Sequence, residues 1–191
     1  MKQIASKLAL PVLAAAALLS APAFAQQKLV PAQSDIAFVS NQMGVPVEGH
    51  FKKFDAQITF NPAKPETSKM AFTIDVASAS LGAPETDAEL PKAAWFNTAK
   101  FPQATFQSSA VKGTGPGKLE VSGKLTIKGN VRDVVVPVVL TQAGPTTTAT
   151  GSFVLKRLAF KIGEGEWTDT SMVADDVQVK FKLALTGVGK I

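Results

Sequence analysis

Apolar and polar residues alternate one for one along most of this 191-residue chain, and that period leaves few folds open. Phe54–Phe60 reads FDAQITF, with Phe54, Ala56, Ile58 and Phe60 on one face. Lys69–Val76 reads KMAFTIDV, setting Met70, Phe72, Ile74 and Val76 against Lys69, Thr73 and Asp75. Val177–Leu185 reads VQVKFKLAL, and Ser34–Ser40 and Leu119–Ile127 alternate likewise. Successive side chains of a strand point to opposite faces, so each run predicts a half-buried β-strand, about eight in all. Turn signals separate them: Asn61-Pro62, Gly115-Pro116-Gly117, Gly129-Asn130, Gly144-Pro145 and Gly163-Glu164-Gly165. Many short strands between close turns predict an all-β sandwich or barrel. Val134–Leu140, VVVPVVL, is apolar on both faces, and Pro137, which lacks an N–H, is expected at a sheet edge or bulge. One stretch breaks the alternation. Glu85–Pro102, ETDAELPKAAWFNTAKFP, holds a short helical turn and carries Trp95, Phe96 and Phe101. Three large aromatics on a connection need burial, so this segment is expected to form a lid over one end of the β-core.

The start of the chain is of a different kind. Lys2 and Lys7 precede the apolar run Leu8–Leu19, and Ala23-Phe24-Ala25 follows as a small-residue cleavage box. This is the pattern of a signal peptide, and the run is shorter than the roughly 20 residues of a membrane-spanning helix. The expected organisation is a signal peptide over 1–25 and one domain over 26–191, exported to a bacterial periplasm or secreted. Alternation begins only after Pro31, so residues 26–30 are expected to add little to the core. Loss of Lys2 and Lys7 lowers the formal charge from +5 to +3, with 18 Lys and Arg against 15 Asp and Glu. No basic run exceeds two residues, and nucleic acid is not an expected partner.

The residue inventory removes much catalytic chemistry. Without cysteine there is no disulfide framework, thiolate metal site or thiol nucleophile. His50 is the one histidine and tyrosine is absent, so a multi-histidine zinc site is excluded and a Ser-His-Asp mechanism would depend on one residue. His50 follows Gly49 in VEGHFKKF and is expected to sit exposed in a turn. The acids Glu85, Asp87 and Glu89, then Glu164, Glu166 and Asp169, then Asp175 and Asp176, match no calcium-loop spacing and are expected as solvated loop charges. No nucleophile elbow, phosphate loop or nucleotide fingerprint is present. The chain is therefore expected not to be an enzyme and to carry no metal or cofactor. A barrel of about eight strands either fills its interior with side chains or holds one small ligand, and alternation alone leaves both open.

Several ordered motifs bear on that choice. They are GKLTIKGNVRDVVVPV at Gly123–Val138, LPKAAWFNTAKFPQATFQSS at Leu90–Ser109, and VEGHFKKFDAQITFNPAKPETSKMAFTIDVAS at Val47–Ser78. FVLKRLAFKIGEGEW and VADDVQVKFKLAL follow as closing strands. In this order they resemble the YceI-like family of bacterial polyisoprenoid-binding proteins, over nearly the whole mature chain. The sequence departs from the family pattern at Thr86, Lys128 and Lys161. The resemblance implies an extended eight-stranded antiparallel, lipocalin-like barrel with an apolar tunnel. It also implies a ligand with a polyisoprenoid chain, including quinone-type tails, or another long-chain amphiphile. Each buried methylene contributes about 0.8 kcal/mol, so such a ligand needs few polar contacts. On this reading Phe38, Val47, Phe51, Ile58, Phe72, Ile74, Phe106, Ile127, Phe153 and Phe181 line the tunnel, and Trp95, Phe96 and Phe101 close or gate it. The expected role is a periplasmic carrier or sequestering protein for an isoprenoid lipid, with transient membrane contact; a homodimer through an edge strand stays open. The alternative is a stress or redox accessory protein that docks on a membrane quinone or cytochrome partner through the GEGEW and VADD loops. A hydrolase or isomerase using His50 is the third option.

Overall fold

The computed structural model describes residues 27–191. The expected signal peptide and Gln26 lie outside the described residues. The alternating runs become strands β1 (Lys28–Leu29), β2 (Asp35–Gln42), β3 (Val45–Phe51), β4 (Phe54–Thr59), β5 (Lys69–Asp75) and β6 (Ala79–Ser80), then β7 (Gln103–Gly115), β8 (Lys118–Ile127), β9 (Asn130–Ala143), β10 (Thr146–Lys156) and β11 (Val173–Thr186). All pair antiparallel in one curled sheet, ordered β4-β5-β7-β8-β9-β10-β11-β2-β3-β6, with β1 added to β11. Among the described residues the one α-helix, α1 (Pro84–Asp87), is a single turn in the lid segment.

Eleven strands reduce to eight lines around a barrel, as the lipocalin-like reading expects. The strands β1 and β2 both pair with the same side of β11, at Leu29↔Leu185 and Asp35↔Lys182, and a 3-10 turn at Pro31–Gln33 interrupts them. The chain steps from β3 to β4 through Lys52 and Lys53 alone, and from β5 to β6 through the turn Val76–Ser78. At that step β3 takes β6 as its neighbour (Phe51↔Ala79) while β4 takes β5 (Phe54↔Ile74). Each broken line changes partners midway, and the sheet can curl closed.

Close approach of rings to backbone shapes the inner wall. A Cβ built on Gly49 would lie 2.3 Å from the Phe38 ring, one on Gly123 2.5 Å from Phe106, and one on Gly151 2.5 Å from Phe181. Each phenyl ring lies over a neighbouring strand where only hydrogen fits. The ladder between β9 and β10 runs from Ala143↔Thr146 to Val138↔Gly151 and stops at Pro137, which has no N–H to continue it. The expectation of an edge or bulge is thus corrected. Pro137 sits in an interior strand, paired to Glu120 of β8, at the fork where β9 and β10 part.

The start of the described chain also differs from expectation. Leu29 packs against the core cluster of Ile36, Leu183 and Leu185, and the Gln27 side chain both donates to and accepts from the Phe60 backbone at 2.7 Å. Residues 27–29 therefore join the barrel although their run is too short for alternation to show. His50 lies on β3, not in a turn, with Nδ1 3.0 Å from Asp35 Oδ1 on the exposed outer face.

Candidate functional site

The inward faces enclose a cavity of about 220 Å³. Its wall is apolar except for Ser40, Thr147 and Arg157. Eleven of the thirteen residues singled out from sequence stand on it: Phe38, Phe51, Ile58, Phe72, Ile74, Trp95, Phe96, Phe106, Ile127, Phe153 and Phe181. Val47 keeps the inward parity of β3 but is half-buried outside the wall. Phe101 is also off the wall; its ring packs on the β8–β9 turn, 2.9 Å from where a Gly129 Cβ would stand. The aromatic lining is partly paired ring to ring, Phe38–Phe51 at 5.3 Å and Phe72–Phe106 at 6.2 Å between centroids.

The segment between β6 and β7 covers one end. Leu90 and Phe96 are buried beneath it, and Phe96 meets Phe51 edge-on at 6.1 Å. Asp87, at the end of α1, accepts from Ser80 Oγ at 2.7 Å and from the Leu81 amide at 2.5 Å, and these bonds hold its carboxyl below the usual carboxylate range. Farther along, the Ala94 carbonyl accepts from the Gly163 and Glu164 amides at 2.8 and 2.9 Å. Trp95 packs on Trp167 at 5.4 Å.

Lys128 completes this clamp. The two-residue turn Lys128–Gly129 has positive φ at both positions, the geometry that matches strand twist in a tight hairpin. The turn aims the Lys128 side chain under the lid, where Nζ donates to Ala93 O, Lys161 O and Glu164 Oε2, each at 2.7 Å. All three ammonium donors are used, which is what allows a lysine to be only 7% exposed. The Lys128 hydrogen bond, then its charge, holds the Glu164 carboxyl below its ordinary range. Lys161 has φ +57, a left-handed conformation.

Arg157, 1% exposed, stands at the same end. Its guanidinium donates to Ile162 O and Gly163 O through Nη1, to Trp167 O and Val173 O through Nη2, and to Ala174 O through Nε, at 2.6–3.2 Å. Carbonyl oxygens replace its water. Burial lowers its pKa, and the Asp175 charge opposes that shift. The GEGEW and VADD loops thus turn backbone inward to Arg157. The acids expected as free loop charges include several clips: Asp87 and Glu164 as above, Asp175 accepting from the Leu158 amide at 2.9 Å, Asp176 paired with Lys156, and Asp169 capping Ser171. Among the described residues no group of three or more His, Asp or Glu is placed to hold a metal ion.

Period-two reading found the Phe residues of the wall and missed its polar points. Ser40 Oγ and Trp95 Nε1 are buried without a hydrogen-bond partner among the described residues. Thr147, fully buried on the wall, accepts from Gln142 Nε2 at 3.2 Å.

Comparison with known proteins places this arrangement. The family profile described as YceI-like domain matches residues 27–185. A UPF0312 protein of Ectopseudomonas mendocina is 35% identical over 124 residues, 63% of this chain and 65% of its own length. Protein YceI of Escherichia coli O157:H7 is 40% identical over 88 residues, 46% of each chain. The chain therefore spans about half to two thirds of the length of these relatives. The crystal structure of Burkholderia cenocepacia BcnA superposes with TM-score 0.80 at 49% identity, over 82% of this chain and 98% of that one. A polyisoprenoid binding domain from Saccharophagus degradans shares the fold, with TM-score 0.67 at 17% identity over 84% of this chain and 98% of its own.

Proposed function

Because the chain belongs to the YceI-like domain family, we propose that it binds an isoprenoid or similar long-chain lipid inside the barrel, in the periplasm, as a carrier or sequestering protein. The observation that carries this is the cavity: an apolar wall built from nine strands and a lid, with three polar residues among those that line it. Burial of each methylene of a chain in such a space contributes about 0.8 kcal/mol, so affinity grows with chain length without added polar contacts. The lid-side rim adds exposed Met43, Val45 and Met172, joined by the Met43 amide donating to Met172 O at 2.8 Å; transient contact with a membrane is assigned to this rim. The redox-docking alternative rests on the GEGEW and VADD loops, whose carbonyls are engaged by Arg157, so the cavity supports the lipid reading more directly. Catalysis has no part in it. The His50–Asp35 pair faces solvent, away from the cavity.

Native mass spectrometry of protein gently extracted from the periplasm tests the reading. The expected result is a co-purifying lipid and a polypeptide beginning at Gln26. A barrel that is reproducibly empty and takes up no added prenyl lipid overturns lipid binding, and a mass retaining Met1–Ala25 overturns export by cleavage.

A further inference from the structure

The barrel wall is forked on one side. β10 stays paired to β11 from Thr146 to Lys156, and β9 stays paired to β8 from Asn130 to Val139, but β9 and β10 pair with each other only as far as Val138↔Gly151. Beyond that point Asn130–Pro137 and Ser152–Lys156 run on with no ladder between them. Pro137 sets the place. The Leu140 amide donates to Gly117 O on the β8 side, and amides alternate in direction along a strand, so the odd-numbered residues of β9 turn theirs towards β10. Residue 137 is the next donor the ladder needs, and proline has none. The fork is pinned at both ends: Thr150 Oγ1 donates to Val139 O at 3.4 Å at its throat, and Asn130 Nδ2 donates to Phe160 O at 3.2 Å at its mouth.

Between the pins, side chains rather than a ladder part the cavity from solvent. Val136, Phe153 and Leu155 stand on the cavity wall, and Val134 and Phe153 pack against both core clusters. Outside, the lips are apolar too. Val135 and Val154 are 56% and 57% exposed, and Pro137 is exposed beside them. Successive residues of a strand take opposite faces, so these two strands present apolar side chains both inward and outward here. The seam between β4 and β1 also lacks a ladder. Its outer side is lined by Gln27, Lys28, Asp55, Gln57 and Thr59, and a hydrocarbon chain crossing there must strip water from them. At the lid, passage must break the three bonds of Lys128 and the two that end on Ala94 O.

We propose that the β9–β10 fork is a side entrance through which the hydrocarbon chain of a ligand passes into and out of the cavity while the lid stays closed. This rests on the lipid-binding reading and adds a route to it. Val135, Pro137 and Val154 shield the chain from water as it crosses, and Val134 and Phe153 move aside as the inner plug. A route differs from a site in one measurable way. Closing it slows entry and exit by the same factor and leaves the affinity unchanged, because the free and bound end states stay the same.

The chain has no cysteine, so a pair of thiols can be introduced without competition. Val135 and Val154 would face each other had the ladder run on from Val138↔Gly151. Val135→Cys/Val154→Cys is bridged with a short bismaleimide, checked by intact mass, and compared with its own unbridged form; association and dissociation of a fluorescent prenyl probe are followed by stopped flow. Thr73→Cys/Thr105→Cys, in register on the outer face of β5 and β7, is the bridged control. The fork bridge should slow both rates about 10-fold or more and keep Kd within about twofold. The control bridge should change neither rate. Pro137→Val closes the fork without a reagent: its restored amide should become protected from hydrogen exchange, and both rates should fall together. Unchanged rates in the bridged fork, or in Pro137→Val with a protected amide at 137, overturn the entrance and leave lipid binding standing. A loss of affinity carried by one rate alone also overturns it, by marking the lips as part of the site. If the unmodified protein does not bind the probe, both readings fall.

Discussion

Replacing Lys128 with methionine should loosen the lid without emptying the space below it. Methionine keeps most of the aliphatic stem and accepts the same backbone conformation as lysine, so what is lost is the ammonium group and its three 2.7 Å bonds. Hydrogen bonds to a charged group contribute about 1.5–3 kcal/mol each. Glu164 is half-exposed and regains water when the ammonium is removed. The Ala93 and Lys161 carbonyls lose a charged donor under the lid, and a net loss of about 3 kcal/mol follows. For a domain of this size that is a fall in Tm of roughly 6–12 °C. The lid should respond first: the Gly163 and Glu164 amides, which donate to Ala94 O, should exchange faster in hydrogen-exchange measurements. Acid adds a second readout. The folded Glu164 carboxyl titrates below its unfolded counterpart, so its contribution is complete above the ordinary glutamate range and is lost as pH falls through the folded value. The parent should therefore lose stability on acidification more steeply than Lys128→Met. A variant melting within about 2 °C of the parent, with unchanged exchange at 163 and 164 and the same acid slope, would refute the clamp.

Phe72→Asp should abolish binding of a fluorescent prenyl probe while Thr73→Asp preserves it, because Phe72 lines the cavity and Thr73 faces outward; equal binding by the two would overturn the wall assignment. Asp55 stands directly opposite Thr73, so that second variant should lose a few tenths of a kcal/mol of stability, read by urea denaturation. Gly151→Ala should cost about 1–3 kcal/mol in the same assay, since its methyl would fall 2.5 Å from both the Phe181 ring and the Pro137 carbonyl, and the carbonyl cannot move aside; an unchanged midpoint would contradict this. His50→Ala should change stability by no more than about 0.5 kcal/mol and leave probe binding intact, as expected for an exposed side-chain contact. Loss of a measurable turnover in folded His50→Ala would overturn the non-catalytic reading.

Much of the barrel was legible from alternation alone. Phe72 and Phe181 point inward on β5 and β11 as their runs predict, and the aromatic-rich segment before β7 does form a lid. What alternation reports is which face a residue takes, not which strand lies beside it. Alternation therefore leaves Pro137 to an edge or a bulge, while the register lets it sit inside the sheet at a fork. The same limit hid the clamp. Lys128 meets Ala93 and Glu164 from 35 and 36 residues away, so nothing local distinguishes it from a solvated turn lysine. Asp175 and Arg157 were hidden for the same reason, being satisfied by backbone groups that only the closed fold brings near. Residues 27–29 escaped because a two-residue strand is too short to show a period.

The wall of this barrel is not equally strong all the way around. Six residues in register join β4 to β5. On the other side of β4, among the described residues, no ladder links it to the line of β1 and β2; the Gln27 amide against the Phe60 backbone makes the polar fastening there. At the opposite end of β4 the chain itself bridges the gap through Lys52 and Lys53. The cylinder is slit lengthwise, stitched by covalent chain at the top and buttoned by one side chain at the bottom. Parting it there breaks two hydrogen bonds of about 0.5–1.5 kcal/mol each, where parting β4 from β5 would break a ladder of six residue pairs. Load on the wall is relieved along this slit first, and trimming the polypeptide past Gln27 removes the button.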